Sequence, residues 1–260
     1  MELLRELFRW LHIFAGVIWI GMLYFFNWVN GPFMAKLDAE TKKKVVPELM
    51  PRALYWFRWG AAWTWLTGVL LLMLVFYHGG AMFDSPNDWT KVAGALVAFV
   101  FVAPFLYDAL HKSPLGKDPR VFGTLAFALV AAVLVLMTRA GFSYRAMNIH
   151  MAAMFGTIMA FNVWFRIWPA QQKIIAAVKA GTPPEAALVA LAGARSRHNV
   201  YMSVPLVWGM LNEHTAKASL AGGAYGIPNE MPFLAYLLII LVAWHLVWQL
   251  YKRAGKVQGF

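Results

Sequence analysis

The chemistry this sequence could support lies in its histidines, because several of them interrupt runs of apolar residues. An ionisable side chain inside such a run is costly, so each one is a candidate functional group. His12 falls about six residues into the first run, roughly 9 Å deep at the helical rise per residue. His150 lies at a similar depth in the fifth run. His198 opens the sixth run, His214 closes it, and His245 lies well inside the seventh. Neutral imidazole ligates iron, and two histidines at matching depth on different helices could grip a haem on both faces. Gly16 and Ala153, close to His12 and His150, would leave room for a macrocycle. The expectation is two haem b groups. Their ligand candidates are His12, His150 and His214 in the outer half and His198 and His245 in the inner half, with the pairing open. His78 and His111 sit at span ends, where water can satisfy them. Arg58 could pair with haem propionates or an anionic substrate, or could snorkel to the inner interface. Asn148 and Asn162 are the other polar candidates. The competing reading is a histidine-lined transporter or channel without haem. The sequence offers that reading neither a pair of discontinuous helices nor an inverted repeat.

These residues need helices to hold them. Of the 260 residues, 61% are hydrophobic and 13% are charged, against about a quarter charged in a soluble domain. A bilayer core takes roughly 20 apolar residues per helix. The runs at 7–29, 55–77, 91–111, 121–139, 145–168, 198–214 and 232–252 meet or approach that length. Glycine- and proline-bearing stretches such as Asn30-Gly31-Pro32 and Ser113-Pro114-Leu115-Gly116 separate them. The predicted fold is all-α, one integral membrane domain over 1–260 with about seven transmembrane helices. Residues 171–195 read as a cytoplasmic connection with an amphipathic helix after Pro183-Pro184, an eighth element if it stands alone.

Charge sets the expected orientation. The net charge is +11, and the excess lies in alternate loops. One set holds Lys36, Lys42, Lys43, Lys44 and Arg52, then Lys112, Lys117 and Arg120, then Arg166, Lys173, Lys179, Arg195 and Arg197. Lys252, Arg253 and Lys256 follow the last run. The positive-inside rule then puts the N-terminus in the periplasm and the C-terminus in the cytoplasm of a bacterial inner membrane. Basic residues of this kind meet lipid headgroups, and no basic stripe of the sort that binds nucleic acid is present. Arg5 and Arg9 precede an apolar run without a cleavage signal, so the first helix is expected to be retained. There is no cysteine, which removes disulfides, thiolate metal sites and covalent c-type haem attachment from this sequence.

Several stretches carry a family resemblance. The first run reads Leu11-His12, Gly16, Trp19-Ile20-Gly21. The second carries Trp56-Phe57-Arg58-Trp59 and Trp63-Thr64-Trp65-Leu66-Thr67-Gly68. The fifth has His150, Gly156-Thr157-Ile158-Met159-Ala160 and Asn162-Val163. The sixth reads Arg195-Ser196-Arg197-His198-Asn199, then Tyr201, Pro205 and Asn212-Glu213-His214. Together they resemble the membrane domain of the cytochrome-c-linked, membrane-bound urate oxidases. The resemblance implies oxidation of urate to 5-hydroxyisourate, a step of purine catabolism, with electrons passed to a c-type cytochrome. Family members carry that cytochrome at the C-terminus. This sequence has no Cys-x-x-Cys-His, so the expected acceptor is a separate periplasmic cytochrome, with urate or a quinol as electron donor. Trp244-His245 departs from the basic residue expected before that histidine.

Overall fold

The computed structural model describes residues 2–85, 89–212, 227 and 231–257. It holds seven helices and no strands among the described residues: α1 Glu2–Lys36, α2 Ala39–Tyr77, α3 Lys91–Lys112, α4 Pro119–Arg139, α5 Tyr144–Ala180, α6 Ala186–Asn212 and α7 Phe233–Ala254. All but α6 are long and apolar enough to cross a membrane. α6 carries Arg195, Asn199, Ser203 and Asn212, each of them buried. Each of these side chains makes a hydrogen bond inside the protein, which is where such groups belong when the surroundings are lipid.

Helices outrun the apolar runs. Apolarity marks the part of a helix in contact with lipid, whereas backbone hydrogen bonding continues into the polar region. α2 begins at Ala39 rather than near Tyr55, and carries Pro47 and Pro51 inside it. The carboxylate of Asp38 opens it by accepting from the Thr41 backbone N–H (2.9 Å) and hydroxyl (2.6 Å). Those bonds hold the acid below the usual carboxylate range. The 171–195 stretch is not a separate element. Its first part continues α5 to Ala180, and its last part is the start of α6, which runs unbroken from Ala186. Between them Gly181 adopts φ +75°, donating its N–H to the Ala177 and Val178 carbonyls. That left-handed conformation is the helix stop that glycine provides at little steric cost.

Three helices contain a wide π turn: Phe25–Asn30, Leu72–Tyr77 and Val163–Ile167. Two have a visible cause. Pro32 and Pro169 lack the N–H that a regular helix needs, and the residue before each reaches back five positions instead. Gly31 donates to the Phe26 carbonyl and Trp168 to that of Val163. Asn30-Gly31-Pro32, expected as a break, is thus bridged, and α1 continues to Lys36. The third π turn ends α2 and carries Tyr77, and widened turns of this kind recur at functional sites.

The chain packs as two compact units. The first comprises Met1–Leu70, Met159–Ser203 and Ala243–Phe260; the second comprises Leu71–Ile158 and Val204–Val242. In the first unit, α1 and α2 meet along Gly60, Thr64 and Gly68. A Cβ on Gly60 would lie 3.1 Å from the Trp19 backbone nitrogen, and small residues at this spacing allow such approach between membrane helices. In the second unit, the α3 N-terminus is capped by Thr90, whose hydroxyl accepts from the Ala93 N–H at 3.0 Å. Thr90→Ala is expected to cost about 1 kcal/mol. The readout is the thermal midpoint in detergent, expected to fall by roughly 2–4 °C; an unchanged midpoint would show that the cap contributes nothing.

Candidate functional site

The first unit presents His12. It projects from α1 onto α2, where Nδ1 lies 2.9 Å from the Thr64 carbonyl oxygen and 3.2 Å from the Thr67 hydroxyl. A carbonyl only accepts, so Nδ1 carries the proton and Nε2 keeps its lone pair. Thr67 donates its own hydroxyl hydrogen to the Trp63 carbonyl at 2.6 Å, leaving its oxygen free to accept from His12. The ring fits because residue 68 is glycine: a Cβ there would lie 2.9 Å from His12 Cε1. His12 is half-buried, and its Nε2 makes no hydrogen bond among the described residues.

The second unit presents His150, which is fully buried. Its Nδ1 lies 2.7 Å from the Ala146 carbonyl, so this tautomer also carries its proton on Nδ1. Here the second nitrogen is engaged: the Tyr77 hydroxyl donates to Nε2 at 3.0 Å. The rings of Phe76, Tyr77 and Phe142 surround the imidazole with centroids 5.5–5.8 Å away. Tyr77 had no place among the sequence candidates. A tyrosine at a span end reads as an interfacial anchor, and only the π turn aims it at α5.

The remaining candidates fall into different settings. His198 is half-buried on α6. One residue on, Asn199 accepts from the Asn162 amide at 2.9 Å and donates to the Met159 carbonyl at 3.1 Å. Arg195, expected in a loop, is fully buried and donates to the Asn162 side-chain oxygen at 3.3 Å. His245 stands on an exposed face of α7 with Leu241, Val242 and Leu246, beside Gln249 at 3.2 Å, rather than in the interior. His214 lies outside the described residues. His78 is exposed, and His111 is half-buried against Tyr107 and Phe122. Asn148 donates to the Tyr144 carbonyl and accepts from Asn212.

Arg58 is boxed by aromatic rings. Its guanidinium lies 3.9 Å from the Trp168 ring centroid, 5.8 Å from Tyr55 and 5.9 Å from Trp164. Trp164 also donates its indole N–H to the Arg58 carbonyl at 3.0 Å. The Arg58 Nε is buried without a hydrogen-bond partner. Cation–π contact stabilises such a charge by only about 0.5–2 kcal/mol. Among the described residues no three His, Cys, Asp or Glu side chains converge on a common metal position. His12 and His150 belong to different units.

A model of the family described as urate oxidase N-terminal matches residues 37–252. The chain belongs to this family. Neither the curated proteins nor the solved structures contain a match. The urate oxidase N-terminal match takes in Arg58, Tyr77, His150, His198, His214 and His245, and begins after α1. His12 therefore stands as a candidate on its geometry.

Proposed function

We propose that this urate oxidase-like chain is the membrane-embedded part of a urate-oxidising system that holds haem b and delivers electrons to a separate c-type cytochrome. The observation that carries the haem reading is His12. A histidine that ligates a metal almost always donates its other ring N–H to a carbonyl or similar acceptor, which fixes the tautomer and raises basicity. His12 is held in this way by Thr64, with Thr67 as a second acceptor, and its Nε2 is uncommitted. The donor type suits iron and the clearance over Gly68 suits the imidazole. His198, in the same unit, is the second ligand candidate. Arg58 would hold an anionic group, a haem propionate, against Trp168. We do not assign iron to His150, because its accepting nitrogen is already used by Tyr77, nor to the outward-facing His245.

Urate and water give 5-hydroxyisourate, two electrons and two protons. Haem, when bound, supplies one-electron steps that connect this two-electron oxidation to a one-electron carrier. No cysteine is present to attach a c-type haem to these residues. The charge bias of the loops supports an inner-membrane topology with the N-terminus periplasmic, facing a periplasmic cytochrome.

The test is a pyridine haemochrome count and a reduced-minus-oxidised spectrum on the purified full chain, expressed with added haem precursor. Urate is then added anaerobically to the oxidised sample. Bound haem b that urate reduces is the expected result. Absence of any Soret band overturns the haem reading, and urate uptake into cofactor-free proteoliposomes would establish the transporter instead.

A further inference from the structure

We propose that Tyr77 and His150 form a proton relay serving a planar N–H acid bound at the Trp89 end of the second unit. The proposal rests on the urate-oxidising function, which must dispose of protons as well as electrons. Electrons can leave through haem to a cytochrome, but protons need an acceptor within hydrogen-bond reach of the substrate.

The pair has the connectivity such an acceptor requires. The Ala146 carbonyl takes the Nδ1 proton at 2.7 Å and so keeps a lone pair on Nε2, towards which the Tyr77 hydroxyl points at 3.0 Å. The acceptor is oriented by a third group, which is the logic of an activated hydroxyl. Burial gives the relay a direction: His150 is fully buried, whereas Tyr77 is half-buried, so a reactant from outside meets the phenol first. The Trp89 ring lies 6.1 Å from that of Tyr77, edge to face, and Trp89 is 49% exposed. Phe83 fixes Trp89 from another side, with centroids 5.1 Å apart, and itself packs on Phe142. An exposed indole held in this way offers a stacking face to a planar heterocycle such as a purine.

The step balances as follows. A urate N–H proton passes to the Tyr77 oxygen as the Tyr77 hydroxyl proton passes to His150 Nε2. Tyr77 ends neutral and His150 ends as imidazolium, with Nδ1–H still on Ala146. The N–H bond electrons stay on urate and leave in the oxidation, one at a time, to the haem and c-type cytochrome. After product departs, the proton returns from Nε2 through Tyr77 to water. The second proton of the reaction is not assigned to the pair. Tyr77 touches substrate in this scheme, while His150 acts through it.

The assay is urate turnover by the full chain in detergent, with ferricytochrome c as acceptor, together with urate binding by equilibrium dialysis. Tyr77→Phe keeps the ring and is expected to lower kcat at least ~100-fold, with KM within about threefold and haem content unchanged. His150→Gln is expected to show the same split, which a purely packing role would not produce. Wild-type kcat in Tyr77→Phe overturns the relay, and so does selective loss of haem from a folded His150→Gln protein. A wild-type chain that cannot oxidise urate overturns the proposed function instead. Binding then decides the site: weakening at least tenfold in Trp89→Leu supports it, and undiminished binding there overturns it.

Discussion

His12→Ala is expected to remove one haem from the purified chain while leaving the protein folded and monodisperse. The ring packs over Gly68 but lies outside the buried core of α1, which is formed by Ala15, Trp19 and Leu23. The Thr64 carbonyl and Thr67 hydroxyl that it leaves behind belong to α2, and Thr67 retains its own bond to the Trp63 carbonyl. What is lost is the His12 Nε2 lone pair, which makes no hydrogen bond among the described residues. The pyridine haemochrome count should fall by one haem per chain, and free imidazole should restore part of the absorbance by occupying the vacated position. Thr67→Val separates ligation from support: it removes one acceptor for Nδ1–H and is expected to weaken haem retention by roughly 10–100-fold without abolishing it. His245→Ala is the control. Its ring faces outward beside Gln249, and its removal should leave the count unchanged. An unaltered count in His12→Ala excludes His12 as a ligand.

The contrast between His12 and His245 marks how far the sequence reaches. Both interrupt an apolar run, and the cost of an ionisable group in lipid singles out both equally. Which way each points depends on the face its helix buries. α7 is apolar all round, with Leu238, Leu241, Val242 and Leu246 exposed and Ile240, Ala243 and Val247 buried, so no polar stripe distinguishes inside from outside. The helical bundle itself was legible, because bilayer thickness dictates the length of each apolar run. The extensions of α2, α5 and α6 were not, because beyond the bilayer a helix no longer needs to be apolar. Arg195 shows the same blind spot. Arg195 and Arg197, just ahead of the sixth run, read as loop residues, yet Arg195 is buried with Asn162 as a partner. Tyr77 was hidden for a different reason. A single extra residue in the last turn of α2 changes its direction, and nothing in the composition of Leu72–Tyr77 announces that turn.

Gly209→Val is expected to be severely destabilising in the second unit. A Cβ on Gly209 would meet the Tyr236 hydroxyl at 2.7 Å, the Ala152 Cβ at 2.8 Å and the Asn148 carbonyl oxygen at 2.9 Å. The first of these is no flexible chain end. Tyr236 is buried and its hydroxyl donates to the Pro205 carbonyl at 2.9 Å, so turning the ring away would break that bond. The other two belong to α5, and relieving them means separating α5 from α6. Even Gly209→Ala must overpack the contact, at about 1–3 kcal/mol, or a fall of roughly 2–4 °C in thermal midpoint for each kcal/mol. Valine, larger and branched at the colliding carbon, should exceed that range and reduce the yield of monodisperse protein. Tyr236→Phe in the Gly209→Ala background tests the cause. Removing the hydroxyl relieves one of three collisions, so the double variant should recover part of the loss and be non-additive, as expected of residues in contact. Asn148 lies two residues before His150, so a shift of this turn should carry the imidazole with it and lengthen its bond to Tyr77. A Gly209→Ala protein with wild-type midpoint would show that α5 and α6 have room to spare here, and that the position of His150 does not depend on their close approach.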